Sequence, residues 1–344
     1  MILTFKFHVN PLLSDRLDSI LSQVAVDVNK MLIDRKLNST KHYKELPSVI
    51  AKGLINKYQR NKKCKEVRNP VIPINADKGA QCQLKDNFLR VPAIDRKLLI
   101  CDLSPILPKI VKVNHVEFAK KENMWFVFVC ASVEEREEGI AENCLGVDLN
   151  SRENIATISY NNRTIERLGF DSGMWKKQFK ARKAKMQRRR KWIALKNISK
   201  HQSRRSTCEN HRVSRIIVNK AKDTNSAIVL EDLSKINSSK CGKYVKKSQW
   251  AFFQLNTFIQ YKAKLLGIPI IYINPANTSK MCSNCGHINS VIGKKFSCNN
   301  CGHEDHRDAN AALNIRNRGL MVLANRRGDL SGSLAEPQTG GSLE

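Results

Sequence analysis

Four cysteines near the C-terminal end of the chain have the spacing of a metal site. Cys282 and Cys285 form one Cys-x2-Cys pair, and after twelve residues Cys298 and Cys301 form a second. Two such pairs supply four thiolates that can surround one Zn²⁺ tetrahedrally. A glycine follows each pair and permits the backbone turn that directs both sulfurs to one point. The pattern predicts a zinc ribbon, with reduced thiol pairs or disulfides as the alternative.

Three acidic residues could bind a different metal. Asp148 lies in the apolar run 145–149, Glu231 follows the run 227–230, and Asp308 begins a helical pattern. Strand alternation puts Asp148 and Glu231 opposite their apolar neighbours, where a carboxylate is costly unless a cation such as Mg²⁺ pairs with it. Taken singly, Asp148 could end a strand, Glu231 could pair with a basic side chain, and Asp308 could cap its helix. Periodicity alone does not bring the three together.

The composition indicates a polyanionic partner. The chain has 344 residues, with 60 Lys and Arg against 31 Asp and Glu, a formal net charge of +29 and a pI near 9.9. Such a positive field is typical of proteins that bind nucleic acid. The absence of a long apolar run predicts no membrane span, and the N-terminus lacks the features of a signal peptide. Eleven cysteines with a four-thiolate site favour a reducing cytosol.

The strongest charge lies in residues 171–222, where 18 Lys and Arg stand against two acids. We expect one or two long helices there, with Phe179, Met186 and Ile193 as a packing stripe of seven-residue period. A solvated helix face is the alternative, but such a segment repels itself without a polyanion. The candidate phosphate contacts are Lys176, Lys177, Arg182, Lys183, Lys185, Arg188, Arg189, Arg190, Arg204 and Arg205.

Hydrophobic periodicity divides the chain into a β-rich part followed by an α/β part. The first part is predicted to hold a strand at 2–10, a helix capped by Ser14, a helix near 47–60, and strands at 88–91, 97–100 and 125–129. The simplest arrangement is a small β-barrel or sandwich with a helical insertion after its first strand. Beyond a solvated linker at 134–138, strands are predicted at 145–149, 154–160, 227–230 and 268–273, and helices at 171–222, 252–266 and 308–316.

Several motifs of the α/β part occur together in one known family. They are Leu145-Gly146-Val147-Asp148-Leu149-Asn150, Ile228-Val229-Leu230-Glu231-Asp232-Leu233, the segment 261–286, the four-cysteine ribbon, and Arg307-Asp308-Ala309-Asn310-Ala311-Ala312-Leu313-Asn314-Ile315. Together they resemble the TnpB family of transposon-encoded RNA-guided nucleases, which is similar to the miniature type V CRISPR effectors. The resemblance covers residues 144–318, while residues 1–140 agree only in the order of their elements.

The resemblance implies a fold class of α/β plus β. It implies an RNase H-like RuvC nuclease domain with an inserted four-Cys zinc ribbon, preceded by a β-barrel wedge domain with a small helical recognition insertion. The boundaries are 1–10 and 66–140 for the wedge domain, 11–65 for the recognition insertion, 141–277 and 306–324 for the RuvC-like domain, and 278–305 for the ribbon. Residues 325–344 are expected to form a disordered tail.

The resemblance also implies an activity. Asp148, Glu231 and Asp308 match the family's catalytic acids, which would hold two Mg²⁺ ions, with Asp305 as a rival for the third; the four cysteines would hold one structural Zn²⁺. Guide RNA derived from the transposon end would select double-stranded target DNA beside a short flanking motif. The expected location is the prokaryotic cytoplasm, associated with the nucleoid. The alternatives are a nuclease-inactive RNA-guided regulator of transcription and a plain zinc-ribbon DNA-binding protein.

Overall fold

The computed structural model describes residues 1–60, 64, 66–76, 81–104, 110–149, 154–161, 164–169, 172–233 and 246–327. Two compact units make up the chain, Met1–Glu134 and Glu135–Glu344. Their boundary falls at the start of the exposed, irregular segment that the sequence predicts as a linker. The polar turn at 150–153 and Cys241 lie outside the described residues. Within the described ranges, no helix is long and apolar enough to cross a membrane.

The first unit contains two antiparallel sheets. Its described strands are β1 (Ile2–His8), β2 (Ile72–Asn75), β3 (Gln83–Lys85), β4 (Phe88–Arg90), β5 (Cys101–Asp102), β6 (Ile110–Lys121) and β7 (Met124–Val133). One sheet has the strand order β1-β7-β6-β2 and the other the order β3-β4-β5. The predicted strands at 2–10, 88–91 and 125–129 are confirmed by β1, β4 and β7, while the closed wedge barrel stays a prediction.

A helical segment follows β1, as the sequence predicts. Helix α1 (Ser14–Ile33) buries Leu17 and Val24, and helix α2 (Ser48–Leu54) continues as a π-helical turn. Ser14 is not the cap, however. A 3₁₀ turn precedes α1, and the Asn10 side chain accepts a hydrogen bond from the Leu12 N–H at 3.1 Å. Proline at position 11 fixes the backbone for the first turn, so helical structure begins earlier than the serine indicates.

The strand predicted at 97–100 is wrong. The Asp95 carboxylate accepts hydrogen bonds from the backbone N–H groups of Lys97 at 2.7 Å and Leu98 at 2.9 Å. These bonds fold the segment into a local turn, because an aspartate side chain offers the backbone an alternative to the sheet. The strand begins only afterwards, at Cys101.

The second unit is built around a mixed five-stranded sheet, which confirms the α/β part. Its strands are β8 (Asn143–Leu149), β9 (Ala156–Ser159), β10 (Ile165–Leu168), β11 (Ser226–Glu231) and β12 (Ile270–Ile273), in the order β10-β9-β8-β11-β12. Strands β8, β11 and β12 are parallel, whereas β9 and β10 run antiparallel beside β8. A separate two-stranded sheet joins β13 (Lys295–Ser297) to β14 (Glu304–His306). Strand β10 was not predicted.

Four helices accompany this sheet: α3 (Ser172–Arg188), α4 (Trp192–Asp223), α5 (Lys246–Leu266) and α6 (Arg307–Arg327). The long basic segment is thus two helices, and α6 runs eleven residues beyond the predicted end at 316. The first three residues of the predicted tail, 325–327, are therefore helical, and the tail from 328 onward lies outside the described residues.

Both faces of the central sheet are buried. On one face, Leu145, Val147, Ile228 and Leu230 pack with side chains from α4 and α5. On the other face, Cys144, Ala227 and Val229 pack with side chains from α6. Because side chains alternate along a strand, Asp148 and Glu231 belong to the α6 face. This position sets up the contacts of the candidate site.

The predicted packing stripe in the basic segment is wrong beyond its first member. Phe179 is buried, whereas Met186 is half-buried and Ile193 is 80% exposed. The helix is interrupted between Arg188 and Trp192, where Arg190 has a φ of +52°. A break of this kind ends any periodic register, so residues on either side no longer share a face.

Candidate active site and metal centre

The four cysteine sulfurs converge. All four Sγ atoms lie within 4.8 Å of one another, with Cys282 and Cys301 at 3.7 Å and Cys285 and Cys298 at 3.5 Å. All four cysteines are free thiols in this structure, and both separations are far beyond the length of an S–S bond, about 2.05 Å, so no disulfide forms the site. A tetrahedron of sulfurs about 2.3 Å from zinc has edges of roughly 3.8 Å. The cluster could therefore hold one Zn²⁺.

Two matching turns, which we call knuckles, place these sulfurs. In the first knuckle the Gly286 N–H donates to the Cys282 carbonyl at 2.9 Å, and the Cys282 N–H donates to the His287 carbonyl at 2.9 Å. In the second, the Gly302 N–H donates to the Cys298 carbonyl at 3.0 Å. Both glycines have left-handed φ values, +76° and +68°, which confirms the reason predicted for their presence.

The ribbon already favours thiolate at part of the site. Although burial opposes ionisation, N–H groups of Cys301 and Asn300 donate to Cys298 and lower its thiol pKa to about 6. The His303 N–H likewise lowers the pKa of Cys301, whereas burial raises the pKa of Cys282 to about 11. Metal binding requires deprotonated sulfurs, so a bound cation would complete an ionisation that the backbone has begun.

Helix α6 lies directly against strand β8. A Cβ atom added to Gly146 would be 2.3 Å from the Ala312 carbonyl oxygen and 2.5 Å from the Arg316 nitrogen. Only glycine allows this approach. It brings the end of β8, with Asp148 two residues beyond Gly146, toward the first turn of α6, which carries Asp308.

The carboxyl group of Asp148 is coupled to the other two acids. Burial first, and then the negative charges of Glu231 and Asp308, together raise its pKa from 3.8 to about 8. The positive charges of Lys294 and Arg307 act in the opposite direction. Coupling of this kind requires proximity, so the tertiary structure brings together the three residues that periodicity could not connect.

Glu231 has a neutral hydrogen-bond partner. Thr278, which is 4% exposed, donates from its hydroxyl to a Glu231 carboxylate oxygen at 2.6 Å. Burial is the main cause of the raised pKa of Glu231, and the hydroxyl and the more distant charge of Arg318 reduce the shift. The neighbouring Asp232 uses its N–H in a bond to the Ile273 carbonyl at 2.8 Å, along the sheet.

Asp308 is paired with a lysine of the ribbon. The Lys294 Nζ donates to both carboxylate oxygens of Asp308, at 3.0 Å and 2.7 Å, and Asp308 is 6% exposed. The simple helix-cap interpretation therefore does not describe its carboxylate. Asp305, the rival third acid, lies in β14, and its carboxylate accepts from the neighbouring His306 N–H at 2.6 Å. The geometry favours Asp308.

The metal-site geometry differs between the two groups of ligands. Among the described residues, the four cysteines form a group of metal-ligating side chains whose ligand atoms all lie within 4.8 Å of one another. The three acids do not form such a group. The carboxylates of Glu231 and Asp308 instead point to Thr278 and Lys294. The acids are thus near enough to interact electrostatically, while local partners hold two of them.

Sequence reasoning missed two asparagines that fasten the ribbon to α6. The amide of Asn310 accepts from the Ser283 N–H at 2.9 Å and donates to the Met281 carbonyl at 2.7 Å. Asn314 donates to the carbonyls of Thr278 at 2.8 Å and Met281 at 2.7 Å. Both asparagines are at most 1% exposed. Their four-residue spacing in an alanine-rich helix was the available signal, since buried amides need partners.

Most of the predicted phosphate-binding side chains are accessible. Burial lowers the pKa of Lys176, whose Nζ lies 5.7 Å from the centre of the Trp175 ring, and the Arg205 guanidinium lies 5.1 Å from the same centre. Lys183 is half-buried. The other seven, which are exposed, are Lys177, Arg182, Lys185, Arg188, Arg189, Arg190 and Arg204. Their exposure fits phosphate contacts but does not by itself identify a ligand.

A protein-family model and two curated proteins match parts of this chain. The family model described as "Cas12f1-like, TNB domain" matches residues 252–315, which include the ribbon and the start of α6. The TnpB-like protein MJ0751 of Methanocaldococcus jannaschii is 34% identical over 110 residues, which are 30% of this chain and 40% of that protein. The CRISPR-associated endodeoxyribonuclease Cas12f1 of Sulfoacidibacillus thermotolerans is 42% identical over 110 residues, 31% of this chain and 25% of that protein.

A solved structure extends the similarity of fold. The Cas12f1 chain from a cryo-EM structure of a Cas12f1–sgRNA–target DNA complex matches 90% of this chain and 84% of its own length, with a TM-score of 0.54 and 18% identity. The curated relatives are matched over less than half of their length. Residues 252–315 thus match the family model, and the chain is similar in sequence to a TnpB-like protein and to Cas12f1, and in fold to the Cas12f1 structure.

Proposed function

We propose that this protein is an RNA-guided DNA endonuclease of the RuvC type, encoded by a transposable element, that cleaves target DNA beside a short flanking motif. The observation that carries the proposal is the coupled cluster of Asp148, Glu231 and Asp308, with Asp148 ionising at a pKa of about 8 because it is buried beside the other two acids. The names of the relatives, TnpB-like protein and CRISPR-associated endodeoxyribonuclease, support this activity.

The acidic cluster fits magnesium. Three carboxylates supply the oxygen ligands that Mg²⁺ prefers, and buried like charges are costly without a cation. Asp148, Glu231 and Asp308 would hold the ions, and two bound ions supply activation of a water and stabilisation of the leaving 3′ oxygen in phosphodiester hydrolysis. The chain's own part is to orient these groups: Thr278 donates to one oxygen of Glu231, and Lys294 donates to both oxygens of Asp308 from the ribbon.

The ribbon would position the third acid. Four thiolates fit one structural Zn²⁺, and Asn310 and Asn314 tie the first knuckle to the helix that carries Asp308. Closing the knuckles therefore also fixes the start of α6. In this proposal residues 278–305 form the ribbon, residues 141–277 and 306–324 form the RuvC-like domain, and the first unit supplies the wedge domain with its recognition insertion at 11–65.

Guide RNA and double-stranded DNA are the proposed partners. The formal charge of +29 favours polyanionic partners, and exposed cations of α3 and α4 would contact phosphates without reading bases. Sequence choice would come from pairing between guide and target strand, with the protein reading the flanking motif and the shape of the heteroduplex.

The experiment that tests the proposal compares two acids of the coupled cluster with Asp305, an acid outside that cluster. Protein is purified with its copurifying RNA, the RNA is sequenced, and cleavage of a matching plasmid is followed in Mg²⁺. Asp148→Ala and Glu231→Ala are expected to reduce cleavage by about 10³-fold or more while RNA and DNA binding persist, since acids of this kind supply several kcal/mol of transition-state stabilisation. Asp305→Ala is the matched control and should cleave normally.

Four results would contradict parts of the proposal. Full cleavage by Asp148→Ala would remove the acids from the mechanism, and cleavage that resists EDTA would remove the metal. Guided binding to DNA without cleavage by the wild-type protein would favour the nuclease-inactive regulator. Absence of any copurifying RNA, with DNA binding retained, would favour the plain zinc-ribbon DNA-binding protein.

A further inference from the structure

Helices α3 and α4 form a hairpin with an unusual tip. Ring contacts between the two helices, such as Phe179 with His201 at 5.5 Å, show that they lie side by side. The residues of α4 that are buried start at Asn210, so the first 18 residues of the helix precede any core packing. At about 1.5 Å per residue, this part extends roughly 27 Å. The hairpin therefore ends, at residues 188–193, well away from the residues that anchor it.

The tip combines cations with large apolar side chains. Trp192 is 64% exposed and Ile193 is 80% exposed. The four preceding residues, Arg188, Arg189, Arg190 and Lys191, are all basic and all exposed. By contrast, Trp125 and Trp175 are each 5% exposed. Two adjacent exposed apolar side chains beside four cations fit a ligand that offers both a flat apolar face and negative charge.

The chemistry of the tip identifies the class of ligand. A second copy of the chain is disfavoured, because its tip would bring four more positive charges against these four. An unpaired nucleotide satisfies both features, since its base offers a flat face to the indole while its phosphates meet the cations. The interior of a duplex offers no such face, because each internal base is already stacked on both sides, and only the two terminal pairs leave a face open. Loops and bulges of folded RNA leave bases unstacked, and these are commonly bound by aromatic side chains.

We propose that Trp192 stacks on an unpaired base of structured RNA, while the cations at 188–191 contact the flanking phosphates. This inference deepens the proposed function by assigning part of the RNA-binding surface, and it rests on that function only for the choice of RNA as partner. The acidic cluster plays no role in it. The two ideas can therefore fail separately.

The test separates stacking from charge. Full-length protein is titrated, in EDTA and over a range of salt, with an RNA hairpin that carries an unpaired loop and with a blunt RNA duplex of equal length. Trp192→Ala is expected to weaken hairpin binding by about 5- to 100-fold without changing the slope of log affinity against log salt, and Trp192→Phe should restore most of the loss. Joint replacement of Arg188, Arg189 and Arg190 by Ala should lower the slope by about two to three.

Other outcomes would overturn the inference. Equal weakening on the blunt duplex, or a changed salt slope for Trp192→Ala, would show that the indole does not stack on an unpaired base. A larger effect on single-stranded DNA than on the hairpin would reassign the partner. Concentration-dependent self-association that Trp192→Ala abolishes in analytical ultracentrifugation would make the tip an interface between copies. Repeating the titration with Asp148→Ala protein keeps the result independent of cleavage.

Discussion

The two candidate metal sites share the connection between Cys301 and Asp308, but they are assembled differently. The four thiolates come from residues 282–301, and their sulfurs lie within 4.8 Å of one another. The three carboxylates come from positions 148, 231 and 308, on two strands and a helix. Two of them are held by Thr278 and Lys294. The thiolate site is therefore complete in its local turns, whereas the carboxylate site depends on how distant elements pack.

This difference predicts which site positions the other. Lys294 belongs to the ribbon and reaches Asp308, and the buried amides of Asn310 and Asn314 bind the first knuckle. Local closure of the ribbon thus determines the position of one long-range ligand. Substitution of a cysteine should therefore alter the position of the acids more than substitution of an acid alters the position of the thiolates.

Among the changes that test this relation between the sites, the largest effect is expected from loss of the ribbon. Cys298→Ser or Cys301→Ser should lower bound zinc and reduce DNA cleavage by about 100-fold or more, because structural zinc contributes on the order of 10 kcal/mol in small isolated sites and the ribbon positions Asp308. Binding of guide RNA should stay within about twofold. Elemental analysis, cleavage rate and retained RNA are measured on one preparation.

The exposed Cys208 provides the control for thiol loss, as Cys208→Ser removes a cysteine outside the ribbon. Zinc-free protein that cleaves at the normal rate would show that the ribbon is a separable module. The proposed control of the acids by the thiolates would then be wrong.

An intermediate effect is expected at the contact between the sites. Lys294→Met removes the ammonium group that both Asp308 oxygens accept from, so a divalent cation no longer competes with it. We expect Mn²⁺ to bind about tenfold more tightly, a change of about 1.4 kcal/mol, when measured by electron paramagnetic resonance. The adjacent Lys295, paired with Glu304 at 2.8 Å, gives the matched control Lys295→Met. Equal Mn²⁺ affinity in all three proteins would mean that Lys294 does not compete for this site.

The remaining prediction concerns stability and does not involve bound metal. Burial, with the charges of Glu231 and Asp308, raises the Asp148 pKa from 3.8 to about 8. Between these values the folded protein keeps a proton that the unfolded chain has released, so the free energy of unfolding falls as pH rises. Asp148→Asn removes the titrating carboxyl group, and with it this decrease in the free energy of unfolding. Without divalent cations, the variant should match wild type near pH 4 and exceed it by about 1–3 kcal/mol near pH 8. A difference in thermal stability that does not change with pH would contradict the assigned cause.

The sequence by itself determined the features that depend on local spacing. The Cys-x2-Cys-Gly pattern fixed both knuckles, since each turn involves a few adjacent residues and a glycine with positive φ. Alternation in β8 and β11 correctly separated Asp148 and Glu231 from their apolar neighbours. Local reasoning failed where a side chain competed with the expected element, as Asp95 does before residues 97–100, or where a break ended a period, as at Arg190.

Only the tertiary structure decided which acids meet. Asp148 and Asp308 are 160 positions apart, and no period of a helix or strand relates residues at such a separation. Their approach depends on the missing side chain of Gly146, which lets α6 lie against β8, and on the asparagine bonds between α6 and the ribbon. The pairing of Lys294 with Asp308 likewise follows from packing. Local patterns set which way a side chain faces, but contacts between distant elements set what it meets.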